Sequence, residues 1–401
     1  MIMSQLEAIE KQRKTGPGPA SRHVKKVLKG NTAAALAARL CRVSFVTAYP
    51  ITPQTSIIEE INAMIARKEF NATCVNMESE HSVFAALKGA SLVGERVFTA
   101  TSGQGLLYAH EVLHAIAHMR LPIVACNVGR PSYPWNIWAD QTDSISQRDT
   151  GWIQFYCESA QEVLDTIIQS YKIAENSNMP VMVVLDAFYL SHTSENVYVP
   201  EQQLVDDFCP HERRISERVD PKDPKSFGGL VDPSGYDTYN RAHWEEMCRI
   251  EEQTDAVGRE FEQSFGRNYG AVEAVNIGPQ TKTVLVTMSS ITTTTRQVIA
   301  DHEDTGLLKI RLFKPFPKDS VRKALDRTAK DCNVVAVDRN YTADREGALL
   351  QQLRQTMCNA DRKPFGAYAG LGGRDVSPKT IRNILDIDYS SPDTEEINWI
   401  Q

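Results

Sequence analysis

Short β-branched apolar runs alternate with helix-like stretches along most of this chain, and that alternation constrains its fold more than any other feature. Residues 33–40 are Ala/Leu-rich and predict a helix, while residues 43–48 form a β-branched and aromatic run that ends in the breaker Tyr49-Pro50-Ile51-Thr52-Pro53. The same rhythm predicts helices over 56–67, 82–92, 105–119 and 160–176 and strands over 72–75, 97–100, 123–128 and 181–185. Strands alternating with helices imply a parallel sheet covered on both faces. Ligands of such sheets bind beyond the carboxyl ends of the strands, and here those ends carry residues 49–53, 77–80, 101–104 and 129–143.

The rhythm pauses after Cys209. From there to about Gly235 the chain is rich in Pro, Asp, Arg, Lys and Gly, which predicts an exposed connection, and residues 236–265 predict a charged helix able to pack along a neighbouring domain or subunit. A second alternating region follows, with strands expected over 283–287, 309–313 and 333–337 and helices over 294–301, 320–330 and 345–358. At 401 residues the chain is long enough for two or three domains. The expected organisation is an N-terminal arm over 1–22, a parallel-sheet domain over 23–275 that includes the connection and charged helix, and a smaller α/β domain over 276–401.

A formal charge of −7 gives no electrostatic reason to expect nucleic acid or an anionic membrane as partner. Residues 1–16 mix Glu7, Glu10, Lys11, Arg13 and Lys14 with few apolar residues and lack the apolar run of a signal peptide. No stretch approaches about 18 uninterrupted apolar residues, so a cytoplasmic protein without membrane insertion is expected. Eight cysteines stand singly, at 41, 74, 126, 157, 209, 248, 332 and 358, none at the two-residue spacing that chelates zinc or an iron–sulfur cluster. They read as reduced thiols, and any cluster belongs to another chain.

Four local patterns carry chemistry in principle. His110-Glu111-Val112-Leu113-His114 is a literal HExxH, which on a helix places two imidazoles and a glutamate for zinc hydrolysis, and His118 extends the stripe. The longer zinc-peptidase pattern wants Gly and His where Ala117 and Arg120 stand, so the stripe reads instead as a packing or subunit-contact face with no metal. Thr101-Ser102-Gly103-Gln104-Gly105 lacks the Lys of a P-loop and the third Gly of a dinucleotide fingerprint, and reads as a tight strand-to-helix turn at the site edge. Gly370-Leu371-Gly372-Gly373-Arg374 reads as a structural loop, with cofactor or partner contact as its alternative. Glu80, in Glu78-Ser79-Glu80-His81, reads on its own as a solvated helix cap.

Several segments, in order, resemble the alpha subunit of pyruvate:ferredoxin oxidoreductases. They are Gly30-Asn31, Ala48 to Pro53, Glu78 to His81, Thr99 to Ser102 with Gln104-Gly105, Asn136-Ile137-Trp138, Asp140, Asp143 and Gln147 to Trp152. Ser191-His192-Thr193, Phe265-Gly266-Arg267, Arg311 to Pro317 and Val337 to Asn340 continue the resemblance, which covers residues 28–385. It implies a pyrimidine-type thiamine-diphosphate-binding domain followed by a transketolase C-terminal-like α/β domain. In this family a Gly-Asp-Gly motif holds the diphosphate and Mg²⁺, and the chain contains none. The resemblance therefore implies half a cofactor site, completed by a beta-type subunit, with [4Fe–4S] clusters on partners only, gamma-type and ferredoxin-like delta-type subunits, and coenzyme A as co-substrate.

By the same resemblance Glu80 is the catalytic group. It sits at the aminopyrimidine ring nitrogen and helps the cofactor lose its thiazolium proton, which a buried site with a raised carboxyl pKa favours. Pro50, Ile51 and Gln104 border the cofactor with it, while Arg130 and Thr52 bind the 2-oxoacid carboxylate. The departure from the pyruvate pattern lies in Arg130-Pro131-Ser132-Tyr133-Pro134-Trp135, where Tyr133 and Trp135 add aromatic surface and admit an aryl 2-oxoacid such as phenylglyoxylate as well as pyruvate. The implied function is oxidative decarboxylation of a 2-oxoacid to an acyl-CoA and CO₂. A non-catalytic architectural subunit is the alternative from another class, and retention of Thr52, Glu80 and Arg130 together argues against it.

Overall fold

A computed structural model of the chain describes residues 22–210, 218–360, 362–391 and 394–400. The expected arm over 1–22 lies, apart from Arg22, outside these residues. The chain enters through β1 (His23–Lys29) and α1 (Gly30–Leu40), then β2 (Phe45–Ala48), α2 (Thr55–Ala66), β3 (Thr73–Asn76), α3 (Glu80–Leu92) and β4 (Val97–Thr101). Helices α4 (Gly103–Tyr108) and α5 (His110–His118) lead to β5 (Val124–Gly129), α6 (Thr142–Ile145), β6 (Ile153–Tyr156), α7 (Ala160–Ser177), β7 (Val181–Asp186) and β8 (Ser194–Pro200).

After α8 (Gln202–Phe208) the connection rejoins the described residues at position 218, is largely exposed, and runs into α9 (Pro233–Phe265). The second region holds β9 (Val272–Val275), β10 (Thr283–Thr287), α10 (Ile291–Ile299), β11 (Thr305–Ile310), β12 (Leu312–Lys314), α11 (Lys318–Leu325) and β13 (Asn333–Asp338). It closes with α12 (Ala348–Thr356), β14 (Phe365–Tyr368), α13 (Pro378–Leu385) and β15 (Ile397–Trp399).

Among the described residues these strands form a seven-stranded sheet in the order β12-β6-β7-β5-β4-β2-β3, a six-stranded sheet in the order β15-β14-β13-β10-β11-β9, and a ribbon of β1 with β8. Pairing is parallel except for β12 with β6, β9 with β11 and β1 with β8. The alternation anticipates this α/β architecture because strands buried on both faces read as continuous apolar runs, and every residue of β4, β5 and β7 is buried. The small residues of α1, Ala33 to Ala38, are buried throughout, which lets the helix lie close to α7 and α2.

Two expectations change. The helix expected over 105–119 bends at Ala109 into α4 and α5, although the Ala109 N–H still donates to the Gly105 carbonyl at 3.2 Å. The strand expected over 309–313 is two strands, β11 and β12, which part at the buried Arg311 and enter different sheets. Residues 312–314 thus extend the first sheet, and Tyr156 meets Phe313 edge-on at 5.6 Å. One hydrophobic cluster runs from Phe84 and Trp152 under the first sheet to Val286 and Leu353 of the second region.

What positions the site is the order β5-β4-β2-β3. The chain goes from β2 to its neighbour β3 and then crosses back over β2 to β4, so the segments leaving β2 and β4 diverge and open a crevice at their carboxyl ends.

Candidate active site at the carboxyl edge of the first sheet

The turn from β4 into α4 seats two charged side chains. Ser102 Oγ donates to the Val128 carbonyl at 2.5 Å, which pulls the turn against β5. Gly103 adopts φ +50°, and a Cβ there would lie 2.2 Å from Arg130 Nε. A Cβ on Gly105 would lie 2.2 Å from Glu80 Oε1. Each glycine therefore makes room for one ionisable group, and any side chain would displace that group.

Glu80 is the first residue of α3, behind Ser79, whose hydroxyl accepts the Ser82 N–H at 3.3 Å. Only 7% of Glu80 is exposed, so it is not the solvated cap that its position suggests. Burial pushes its carboxyl pKa up, while its own backbone N–H and the charge of Arg130 pull it down, and the net shift is upward.

Arg130 follows β5 and is 4% exposed. Its Nη2 donates to Gln104 Oε1 at 2.7 Å and its Nη1 to the Thr52 carbonyl, while Nε is buried without a protein partner. Gln104 Nε2 donates in turn to the Ser132 carbonyl at 2.5 Å. Burial lowers the Arg130 pKa, and the carboxylates of Asp143 and Glu80 raise it. Arg130, Gln104 and Thr52 thus meet at one mouth, with Thr52 and Pro50 exposed and Ile51 half-buried beside them.

The segment after Arg130 is anchored at both ends and open in the middle. Ser132 N donates to Thr142 Oγ1 at 2.9 Å. At the far end Asn136 Nδ2 donates to the Gly372 carbonyl at 3.1 Å, and Gly372 N donates to Asp140 Oδ2 at 2.9 Å. Tyr189 adds a bond from its hydroxyl to the Gly373 carbonyl at 3.0 Å. Residues 370–374 of the second region therefore brace this loop. Between the anchors Tyr133 is 71% and Trp135 63% exposed, so neither ring packs against the Arg130 guanidinium.

His110 and His114 meet edge-on with ring centroids 4.9 Å apart, but the other contacts of the histidine stripe point in different directions. His110 Nδ1 pairs with Gln147 Oε1 at 2.6 Å, Glu111 faces His81, and His118 stacks on His243 of α9 with ring centroids 5.0 Å apart. Among the described residues no group of three or more His, Cys, Asp or Glu is placed to hold a metal ion. No helix among them is long and apolar enough to cross a membrane.

Reading the sequence by residue type misses the supports of the site. Asn31 Nδ2 donates to the Pro53 carbonyl and to Ser56 Oγ, each at 2.8 Å, and Gln54 Nε2 donates to the Ala100 carbonyl at 2.6 Å. Asp143 is buried beneath Arg130. Asn31 and Asp143 stand among the residues that carry the family resemblance, with no role assigned to them there, and Gln54 left no signal.

A buried carboxyl with a raised pKa holds or shares a proton more readily than an exposed one, and a buried guanidinium with a spare N–H group can bind a carboxylate. Residues 36–259 match the family described as "Pyruvate flavodoxin/ferredoxin oxidoreductase, thiamine diP-bdg", and residues 281–381 match "Pyruvate:ferredoxin oxidoreductase core domain II". The ketoisovalerate oxidoreductase subunit VorA of Pyrococcus horikoshii is 40% identical over 391 residues, covering 94% of this chain and 98% of that protein. The pyruvate synthase subunit PorA of Methanothermobacter thermautotrophicus is 42% identical over 372 residues, covering 90% and 94%. A solved 2-oxoglutarate:ferredoxin oxidoreductase from Magnetococcus marinus shares the fold, with a TM-score of 0.71 and 19% identity over 92% of this chain and 66% of that one.

Proposed function

The chain belongs to the pyruvate flavodoxin/ferredoxin oxidoreductase family, and from that premise we propose that Glu80 and Arg130 are the proton-sharing and substrate-binding groups of an alpha-type subunit. Its complex carries out oxidative decarboxylation of a 2-oxoacid to an acyl-CoA and CO₂. The observation that carries this reading is the 101–105 turn, which seats a buried carboxyl on one glycine and a buried guanidinium on the other.

Thiamine diphosphate, when bound, supplies the electron sink that lets the bond to the substrate carboxylate break. The residues present fit its pyrimidine half, because Glu80 is buried and its carboxyl pKa is raised, as sharing a proton with a ring nitrogen requires. Pro50, Ile51 and Gln104 border that ring. Arg130 and the Thr52 hydroxyl hold the substrate carboxylate. The chain has no Gly-Asp-Gly, so a beta-type subunit carries the diphosphate, its Mg²⁺ and a [4Fe–4S] cluster. Gamma-type and ferredoxin-like delta-type subunits complete a cytoplasmic assembly that uses coenzyme A. The chain divides into a pyrimidine-type domain over 23–275 and a transketolase C-terminal-like domain over 276–401, with β12 reaching from the second into the sheet of the first.

The test is to purify the native complex and assay a panel of 2-oxoacids. Coenzyme A-dependent CO₂ release with reduction of an electron acceptor is expected, and a complex that turns over no 2-oxoacid overturns the reading. The isolated chain is expected to bind neither thiamine diphosphate tightly nor iron, since it lacks the diphosphate motif and paired cysteines. Titration calorimetry and an absorption spectrum of the purified chain check this, and stoichiometric cofactor or a cluster band would refute it.

Tyr133 and Trp135 supply aromatic surface a few residues from Arg130, which supports an aryl 2-oxoacid such as phenylglyoxylate over pyruvate. Both rings face outward, so they act on substrate size only when a partner subunit closes over the loop. Ring–ring contact is worth roughly 0.5–1.5 kcal/mol beyond burial, so Trp135→Ala is expected to cost phenylglyoxylate up to about tenfold in kcat/KM and pyruvate little. Equal losses for the two substrates, or a wild-type preference for pyruvate, would assign the loop to packing.

A further inference from the structure

We propose that Asp143 is a positioning residue that sets Arg130 against the 101–105 turn and thereby governs how tightly the carboxylate of the 2-oxoacid is held. The proposal rests on the reading of Arg130 given above.

Asp143 lies in α6 with no exposed surface. Its Oδ2 accepts the Gly103 N–H at 2.8 Å, the Arg130 N–H at 3.1 Å and an Asn127 Nδ2–H at 3.0 Å. Its Oδ1 accepts the Ser144 N–H at 2.6 Å. Four donors thus converge from the 101–105 turn, from β5, from the residue after β5 and from α6 itself. A carboxylate is an acceptor at every lone pair, whereas an amide or a protonated acid turns a hydrogen toward one of the donors. A site that needed only packing would hold an apolar side chain, because burying an unpaired charge is costly.

The consequence is geometric. One oxygen ties the backbone N–H of Gly103 to that of Arg130, which fixes the turn carrying Gln104 relative to the residue carrying the guanidinium. Gln104 then closes the arrangement by accepting from Arg130 Nη2. Asp143 reaches Arg130 through its backbone and touches no substrate-facing atom, so it acts through Arg130 and Gln104 alone.

The charged and titratable groups that face it are Arg130 beyond β5, Glu80 of α3 on the far side of Arg130, and Tyr156 of β6 through the Ser144 hydroxyl at 3.0 Å. Burial pushes the Asp143 carboxyl up to about 6, against the pull of its four hydrogen bonds. Protonation below that range sets a hydrogen on Oδ1 against the Ser144 N–H and removes the charge with which Oδ2 holds the Gly103 and Arg130 N–H groups, which weakens the tie.

The experiment uses the assembled complex. Asp143→Ala, which removes both acceptor oxygens, is expected to raise KM for the 2-oxoacid on the order of 100-fold, the scale of a small misplacement of a binding group, with KM for coenzyme A unchanged. Combining it with Arg130→Ala is expected to be no worse than Arg130→Ala alone, because the two act on one interaction. An unchanged KM for the 2-oxoacid, equal rises in both KM values, or losses that add in the double variant overturn the proposal. If Asp143→Ala does not assemble, Asn127→Ala serves instead. It removes one donor to the same carboxylate, so the acid-side fall of kcat/KM for the 2-oxoacid is expected at higher pH than in wild type, and an unshifted limb overturns the proposal. A wild-type complex that turns over no 2-oxoacid is a different result, which removes the reading of Arg130 and this proposal with it.

Discussion

Replacing Glu80 by Gln is expected to lower turnover of the assembled complex by roughly 10²- to 10⁴-fold, the range supplied by a positioned acid–base group. The side chain keeps its size and its place beside Gly105, so the change removes a proton site and little else. KM for the 2-oxoacid, held by Arg130, is expected to change far less than kcat.

Stability is expected to move the other way. Burial raises the folded-state pKa of Glu80 above its ordinary value. A raised pKa contributes stability that is present below the ordinary carboxylate range and is lost as pH rises through the folded-state value. Above the folded-state value the ionised carboxyl opposes folding, and there Glu80→Gln is expected to match or exceed the wild-type melting temperature while turnover collapses. Steady-state assays with melting curves at pH 5 and pH 8 check both halves. Near-normal decarboxylation in this variant would sink the assignment of Glu80.

The largest expected loss of stability is at Arg339. This buried arginine follows β13, and its Nη1 donates to Asp186 Oδ2 at 2.7 Å at the end of β7, joining the two sheets. Ser290 N donates to the same oxygen at 3.1 Å, and the Arg339 guanidinium also lies 5.4 Å from the centre of the Tyr189 ring. Ser290 Oγ donates to that oxygen too, at 2.5 Å, while Asp186 Oδ1 is buried without a protein partner, so without Arg339 the charge is left to the neutral donors of Ser290.

Breaking a buried pair by removing one partner leaves an uncompensated charge, and Arg339→Ala is expected to cost about 3–5 kcal/mol. Replacing both partners, Asp186→Leu with Arg339→Met, is expected to recover most of that loss, since an apolar pair carries no desolvation penalty. Urea unfolding of wild type and the two variants decides it. A single-variant loss under about 1 kcal/mol would mean that water reaches the pair and that it does not tie the sheets together.

The elements that the sequence makes legible are those whose burial is written in local order. The run over 283–287 predicts a strand and the chain has β10 with those bounds, because a strand covered on both faces is continuously apolar through its middle, here Val284 to Val286. The ribbon of β1 with β8 leaves no such trace. Its segments are mixed and partly exposed, and His23 pairs with Pro200, a partner far along the chain. Strand β6 escapes for a related reason, being four residues long with Gln154 in its middle, whose Nε2 finds the Ser144 carbonyl at 3.0 Å only once the fold is formed.

Sequence by itself determined the alternation that makes a parallel sheet, the carboxyl edge where its loops gather, and, through motif resemblance, Glu80 and Arg130 as the residues to examine. Tertiary structure alone decided that one turn seats both of them, that Tyr133 and Trp135 face outward, that β12 crosses into the first sheet, and that Asp143 lies beneath Arg130. Periodicity is a local record of which faces lose water, and it carries no information about which distant N–H groups a buried carboxylate will meet. Gly103, Asn127 and Arg130 become neighbours of Asp143 only when β4 and β5 pair side by side, and that pairing depends on the packing of the whole sheet.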